Sequence, residues 1–126
     1  MDSELELIIK QLIKKTSKGE VVWQKSDSPN EYILLLDVGK IIIHLYSQKN
    51  TIGMGFTKMV ECSVENLRGD VVLRDYKSIG VEEGALMYDL YDAAFRSYTG
   101  KDAVIKGIMN QLESAGTIGK DDELPF

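Results

Sequence analysis

Residues 20–76 carry short apolar runs separated by only a few polar or glycine residues. This spacing constrains the fold more than any other feature of the chain. A parallel crossover needs a dozen or more residues, and no gap here is that long, so consecutive strands have to run antiparallel. The runs are EVVWQ (20–24), EYILLLD (31–37), KIIIHLY (40–46), TIGMGFTKMVECSV (51–64) and DVVLRDY (70–76). SDSPN (26–30), Gly39, SQKN (47–50) and NLRG (66–69) supply turn residues between them. The expectation is an antiparallel meander of about five strands.

The flanks have a different period. Leu5, Ile8, Ile9, Leu12 and Ile13 recur at i, i+3, i+4, i+7 and i+8, one apolar stripe of a helix. Ser3 and Glu6 match the S-x-x-E capping box, and Gly19 is a stop. Met87, Leu90, Tyr91, Ala94, Phe95 and Tyr98 make a second stripe, which Gly100 ends or kinks. Val104, Ile105, Ile108, Met109 and Leu112 make a third, closed by Gly116. Residues 117–126 have no periodicity and are expected to form a flexible acidic tail. The fold class is therefore expected to be α+β. An N-terminal helix, the meander and a C-terminal helix pair form one domain over 1–116, with helices on one sheet face.

The other sheet face then needs an explanation. If the turn at 47–50 pairs Tyr46 with Thr51, Ile41, Ile43 and Leu45 share the core face with Ile52, Met54 and Phe56. Ile42, His44 and Tyr46 then lie opposite, with Gly53, Gly55 and Thr57. A half-apolar second face of this kind fits burial in a homodimer as well as ordinary surface apolarity.

Little in the body points to catalysis. Cys62 and His44 are the lone cysteine and histidine, and alternation sends them to opposite faces, so they form no thiol–imidazole pair. Cys62 is read as a core residue. One Cys and one His also exclude a Cys/His zinc site within the chain. Asp89 and Asp92 share a helix face but have no third carboxylate at a supporting spacing. GMG (53–55) lacks the third glycine and the following helix of a phosphate loop. No enzyme activity, metal or cofactor is expected.

The formal net charge is −5, and it is uneven. Residues 61–92 carry eight acids against three bases, whereas residues 93–120 carry four bases against two acids. Trp23, Tyr32, Tyr46 and Tyr76 are strand aromatics that can stack bases, but the bulk balance argues against direct nucleic-acid binding. Glu82 and Glu83 centre an acidic zone that fits a basic cleft on a target protein. The acidic start MDSELELIIK is not a secretory signal, and no apolar run is long enough to span a bilayer. With a single thiol, the expectation is a cytoplasmic protein that makes no membrane contact.

The sequence finishes DDELPF. Asp121, Asp122, Glu123, Leu124, Pro125 and Phe126 resemble the acidic C-terminal tip of bacterial single-stranded-DNA-binding proteins, which end Asp-Asp-Asp-Ile-Pro-Phe. Asp121, Asp122, Pro125 and Phe126 match that tip, and Glu123 and Leu124 are conservative replacements. The resemblance covers these six residues alone. The body lacks that family's Gly/Pro/Gln-rich linker, and its helix–meander–helix order departs from the family's OB-fold barrel. The resemblance implies a partner among DNA replication, recombination and repair proteins of a bacterium or phage, with Phe126 as anchor and the acids as steering charges. The alternative is a small binding or inhibitory module acting through the acidic zone or the second sheet face.

Overall fold

The computed structural model describes residues 1–120. Helix α1 (Ser3–Ser17) is followed by strands β1 (Gln24–Lys25), β2 (Glu31–Leu36), β3 (Gly39–Lys49), β4 (Phe56–Asn66) and β5 (Val71–Ser78). Helices α2 (Glu82–Thr99) and α3 (Lys101–Glu113) complete the order. The strands form one sheet in the order β1-β2-β3-β4-β5, each pairing antiparallel with its chain neighbours. The fold is α+β, with the N-terminal helix, five-stranded meander and two C-terminal helices in the expected order.

One sheet face is covered. Ile41 and Ile43 from β3 meet Val60 and Cys62 from β4, and Tyr32 and Leu34 from β2 complete the strand layer. Met87, Leu90, Tyr91 and Ala94 of α2 lie on them, and α1 packs chiefly on α2 through Leu5 and Ile9. All of these are buried. Strand parity explains the selection, because Ile43 pairs with Cys62 and both point to the helices. Gly84 lets α2 close on the sheet. A Cβ there would fall on the Ser78 carbonyl, well inside contact distance.

Several boundaries differ from the sequence expectation. The α1 cap is Asp2, not Ser3: its carboxylate accepts from the backbone N–H of Glu4 at 2.8 Å and of Leu5 at 3.3 Å. An ionised acid is a stronger acceptor than a hydroxyl at the positive helix end. The 20–24 run pairs only from Gln24 onward. Trp23 turns inward instead and donates its indole N–H to Thr16.

The β3–β4 hairpin is corrected most. Residues 47–49 are strand, pairing Ser47 with Lys58, Gln48 with Thr57 and Lys49 with Phe56. The turn moves to 50–55, where Gly53 and Gly55 adopt φ of 81° and 94°. Glycine takes that left-handed backbone without steric cost, which draws the reversal away from SQKN. Asn50 ties the loop. Its side-chain N–H donates to the Met54 carbonyl at 3.2 Å, and its Oδ1 accepts from Thr57 Oγ1 at 2.6 Å. Ile52 and Met54 consequently sit in the loop, and Phe56, which keeps the strand parity of Val60 and Cys62, stands on the distal ribbon; the three are 90 %, 96 % and 70 % exposed instead of packed in the core.

Candidate functional site

The six tail residues that carry the resemblance, Asp121 through Phe126, lie outside the described residues. The other expected sites can be placed.

Glu82 and Glu83 occupy the first turn of α2, whose N-cap Val81 offers no side-chain acceptor. Their charges compensate the helix end. Glu82 is exposed. Glu83 instead turns to the Met1 amine, with Oε2 at 2.5 Å and Asp75 at 4.0 Å from the same nitrogen. The hydrogen bond that the amine donates to Glu83 raises the amine's pKa against the opposing effect of burial, and the same bond lowers that of Glu83. The acidic zone is thus partly neutralised within the molecule.

Ile42, His44 and Tyr46 lie on the outer sheet face, each half-buried. The imidazole stacks on Tyr46 with ring centroids 5.3 Å apart, and His44 Nδ1 lies 3.8 Å from Glu31. The other charges of this face pair across strands. Arg74 donates to Glu61 at 2.9 Å, and Lys40 meets Glu65 at 3.6 Å. Burial raises the Tyr46 phenol pKa, and the Glu61 charge adds to that. Tyr76 is 54 % exposed, with the Arg74 guanidinium 6.0 Å over its ring. Trp23 and Tyr32, by contrast, are core residues.

The structure brings forward two further features. The first is the distal β3–β4 ribbon. β2 pairing stops at His44 and β5 pairing at Met59, so the ribbon beyond them projects as a two-stranded arm. Lys49 stands opposite Phe56, and Lys58 is on the same side of the arm. Both lysines are exposed, and neither enters a salt bridge among the described residues. The available signal was compositional: between Asp37 and Glu61 the chain has Lys40, His44, Lys49 and Lys58 and no acid. The second feature is α3. Its apolar stripe is present as expected, but none of its residues is buried.

Cys62 and His44 face opposite sides of the sheet, because Cys62 pairs with Ile43 and His44 with Glu61. Burial pushes the Cys62 thiol up to about 12. Asp92 pairs with Arg96 at 2.9 Å. Among the described residues no three His, Cys, Asp or Glu side chains gather as a metal site, and no helix is long and apolar enough to cross a membrane. A depression of about 420 Å³ at the sheet end is lined by Leu35, Leu36, Lys40, Asn66, Leu67 and Arg68 with Gly39 and Gly69. That lining holds two cations and aliphatic walls but no nucleophile or carboxylate.

No family model, curated protein or solved structure matches this chain.

Proposed function

We propose that this chain is a non-enzymatic interaction protein whose acidic tail docks into DNA replication, recombination or repair proteins that receive the single-stranded-DNA-binding protein's tip. The hexapeptide DDELPF at 121–126 carries the reading. Phe126 anchors in an apolar pocket, contributing up to about 3 kcal/mol. A basic residue at the pocket lip pairs with its carboxylate, adding roughly 1.5–3 kcal/mol. Pro125 limits the entropy lost on docking, and Asp121, Asp122 and Glu123 steer the encounter. A single tail is therefore a weak ligand, in the millimolar to tens-of-micromolar range or about 3–6 kcal/mol.

The test is binding of the full chain, and of a version lacking Phe126, to a purified receiver of that tip, with the authentic tip peptide as competitor. Binding that the peptide displaces, and that vanishes without Phe126, is the expected result. Affinity retained without Phe126 overturns the reading.

A second reading is favoured by the arm, on which the exposed Phe56 ring lies beside Lys49 and Lys58. An aromatic flanked by exposed lysines fits a single-stranded nucleic acid, the ring stacking a base while the ammonium groups meet phosphates. The net charge of −5 opposes this. Phosphate contacts, however, are made within a Debye length of about 8 Å, so the acid-free arm outweighs distant acids. Anisotropy of a labelled oligothymidine at low salt tests it. Binding should fall with Phe56→Ala and with Lys49→Glu, and should weaken steeply as salt rises. No oligonucleotide binding, or equal binding by these variants, removes this reading without touching the first. Capture on anionic vesicles in place of the oligonucleotide redirects the arm to a membrane surface.

A further inference from the structure

The tip of the β3–β4 arm carries two large apolar side chains, Ile52 and Met54, that contribute nothing to the core and stand almost fully in solvent. The loop that presents them is held in place. The Asn50 backbone N–H donates to the Gly55 carbonyl at 3.1 Å, and the Asn50 side chain ties the Met54 carbonyl and Thr57. The tip is therefore an apolar wedge at the end of a projecting ribbon.

The ribbon behind the tip has two unlike faces. The ladder pairs Ser47–Lys58, Gln48–Thr57 and Lys49–Phe56 reach past the neighbouring strands. Alternation puts Phe56, Lys49 and Lys58 on one face and Gln48 with Thr57 on the other. On that second face lies a notch of about 200 Å³ lined by Gln48, Lys49, Asn50, Thr51, Thr57 and Met59. Its amides, hydroxyls and ammonium group suit a sugar–phosphate backbone. No acid occurs between Asp37 and Glu61, so both faces accept a polyanion.

We propose that the arm binds nucleic acid where a duplex opens into two single strands, with Ile52 and Met54 against the last base pair. This rests on the nucleic-acid reading of the arm and narrows its substrate. The last pair of a duplex exposes the faces of its bases, and isoleucine and methionine are side chains that wedge against base steps. Beyond that pair the strands diverge, and the ribbon has one face for each. One strand stacks a base on Phe56 and meets Lys49 and Lys58. The other lays its backbone in the Gln48–Thr57 notch, whose amide and hydroxyl groups donate to phosphate oxygens. A lone single strand would leave the tip in water. A lipid surface accounts for the tip but not for the polar notch that adjoins it.

Anisotropy of the full chain with three labelled DNAs tests the inference: an oligothymidine, a blunt duplex, and the same duplex carrying two oligothymidine tails at one end. The forked duplex should bind about tenfold more tightly than either of the others, the effect of burying one large apolar side chain. Ile52→Ser combined with Met54→Ser should abolish that preference. Both residues lie outside the core, so the fold is not at stake. A fluorescent adenine analogue in the last base pair should change its emission with the unaltered chain and not with the double variant. Gln48→Glu should weaken fork binding more than oligothymidine binding, because it sets a negative charge in the notch. Equal affinity for fork and oligothymidine overturns the proposal and leaves the single-strand reading standing. A fork preference that survives loss of Ile52 and Met54, or equal binding of the blunt duplex, also overturns it. Absence of binding to all three DNAs removes both readings of the arm. Capture on phosphatidylserine vesicles without DNA binding, lost with Ile52 and Met54, overturns the proposal in favour of a membrane surface.

Discussion

Trp23 donates its indole N–H to the Thr16 hydroxyl at 3.1 Å, and each residue is 4 % exposed. The bond ties the end of α1 to the segment entering the sheet and satisfies the polar atom of a large buried ring. Thr16→Val keeps the shape and strands the indole N–H. The expected loss is about 1–3 kcal/mol of unfolding free energy, against about 0.8 kcal/mol or less for Thr16→Ser, which keeps the acceptor and loses one buried methyl. Trp23 is the single tryptophan, so its fluorescence in a denaturant titration reports both effects.

Gly84→Ala sets helix propensity against packing. Alanine favours a helix over glycine by about 1 kcal/mol. The new methyl, however, meets the Ser78 carbonyl, a backbone atom that cannot swing aside. Overpacking of this kind costs about 1–3 kcal/mol, so packing wins and the thermal midpoint should fall. Gly107→Ala is the control: a Cβ there meets nothing within 4 Å, and the same propensity should raise stability slightly.

Cys62 should resist thiol reagents in the native protein. Its thiol is fully buried and shifted to about 12, so the reactive thiolate is scarce at pH 8. Labelling with a disulfide-exchange reagent should be slow in buffer and fast in denaturant. Rapid native labelling at pH 8 would show that the β3–β4 core opens readily.

Asn30 holds φ of 55° in the turn before β2, and its carbonyl accepts from the Leu45 backbone N–H at 3.0 Å. Asparagine and glycine tolerate that conformation, whereas a β-branched residue does not. Asn30→Gly should change stability little, and Asn30→Val should lower it by about 1–2 kcal/mol. The Tyr91 hydroxyl reaches Asn30 Oδ1 only at 3.4 Å, so Tyr91→Phe should cost less than Asn30→Val. Chemical denaturation of the three variants orders them.

The meander was legible because short gaps forbid crossovers, and the core face because alternation put Ile41, Ile43, Val60 and Cys62 together. The hairpin turn was not. SQKN is polar and turn-like, yet Gly53 and Gly55 supply the left-handed backbone that a reversal needs. That shift of register put Ile52 and Met54 in the loop and Phe56 on the projecting ribbon, in solvent, although Phe56 keeps the core-side parity. In α3 the periodicity fixed which side is apolar, but a stripe of Val104, Ile105 and Ile108 reads the same whether covered or bare. The arm's lysines were hidden by averaging, since the seven acids of residues 1–37 nearly cancel the lysines of the same half of the chain. The Asp2 cap was masked by a neighbouring S-x-x-E pattern of the same kind.

The packing of α1 on α2 has a consequence for synthesis. Helix α1 leaves the ribosome before the sheet, yet its principal partner begins at Glu82, roughly 65 residues later. At about 5–20 residues per second, Leu5 and Ile9 wait some 3–13 s for the helix that covers them. A 15-residue helix is marginal alone over that interval. The meander has no such delay, because each strand's partner is the next to emerge. Vectorial folding should therefore begin with the meander, with α1, made before it, among the last elements to dock.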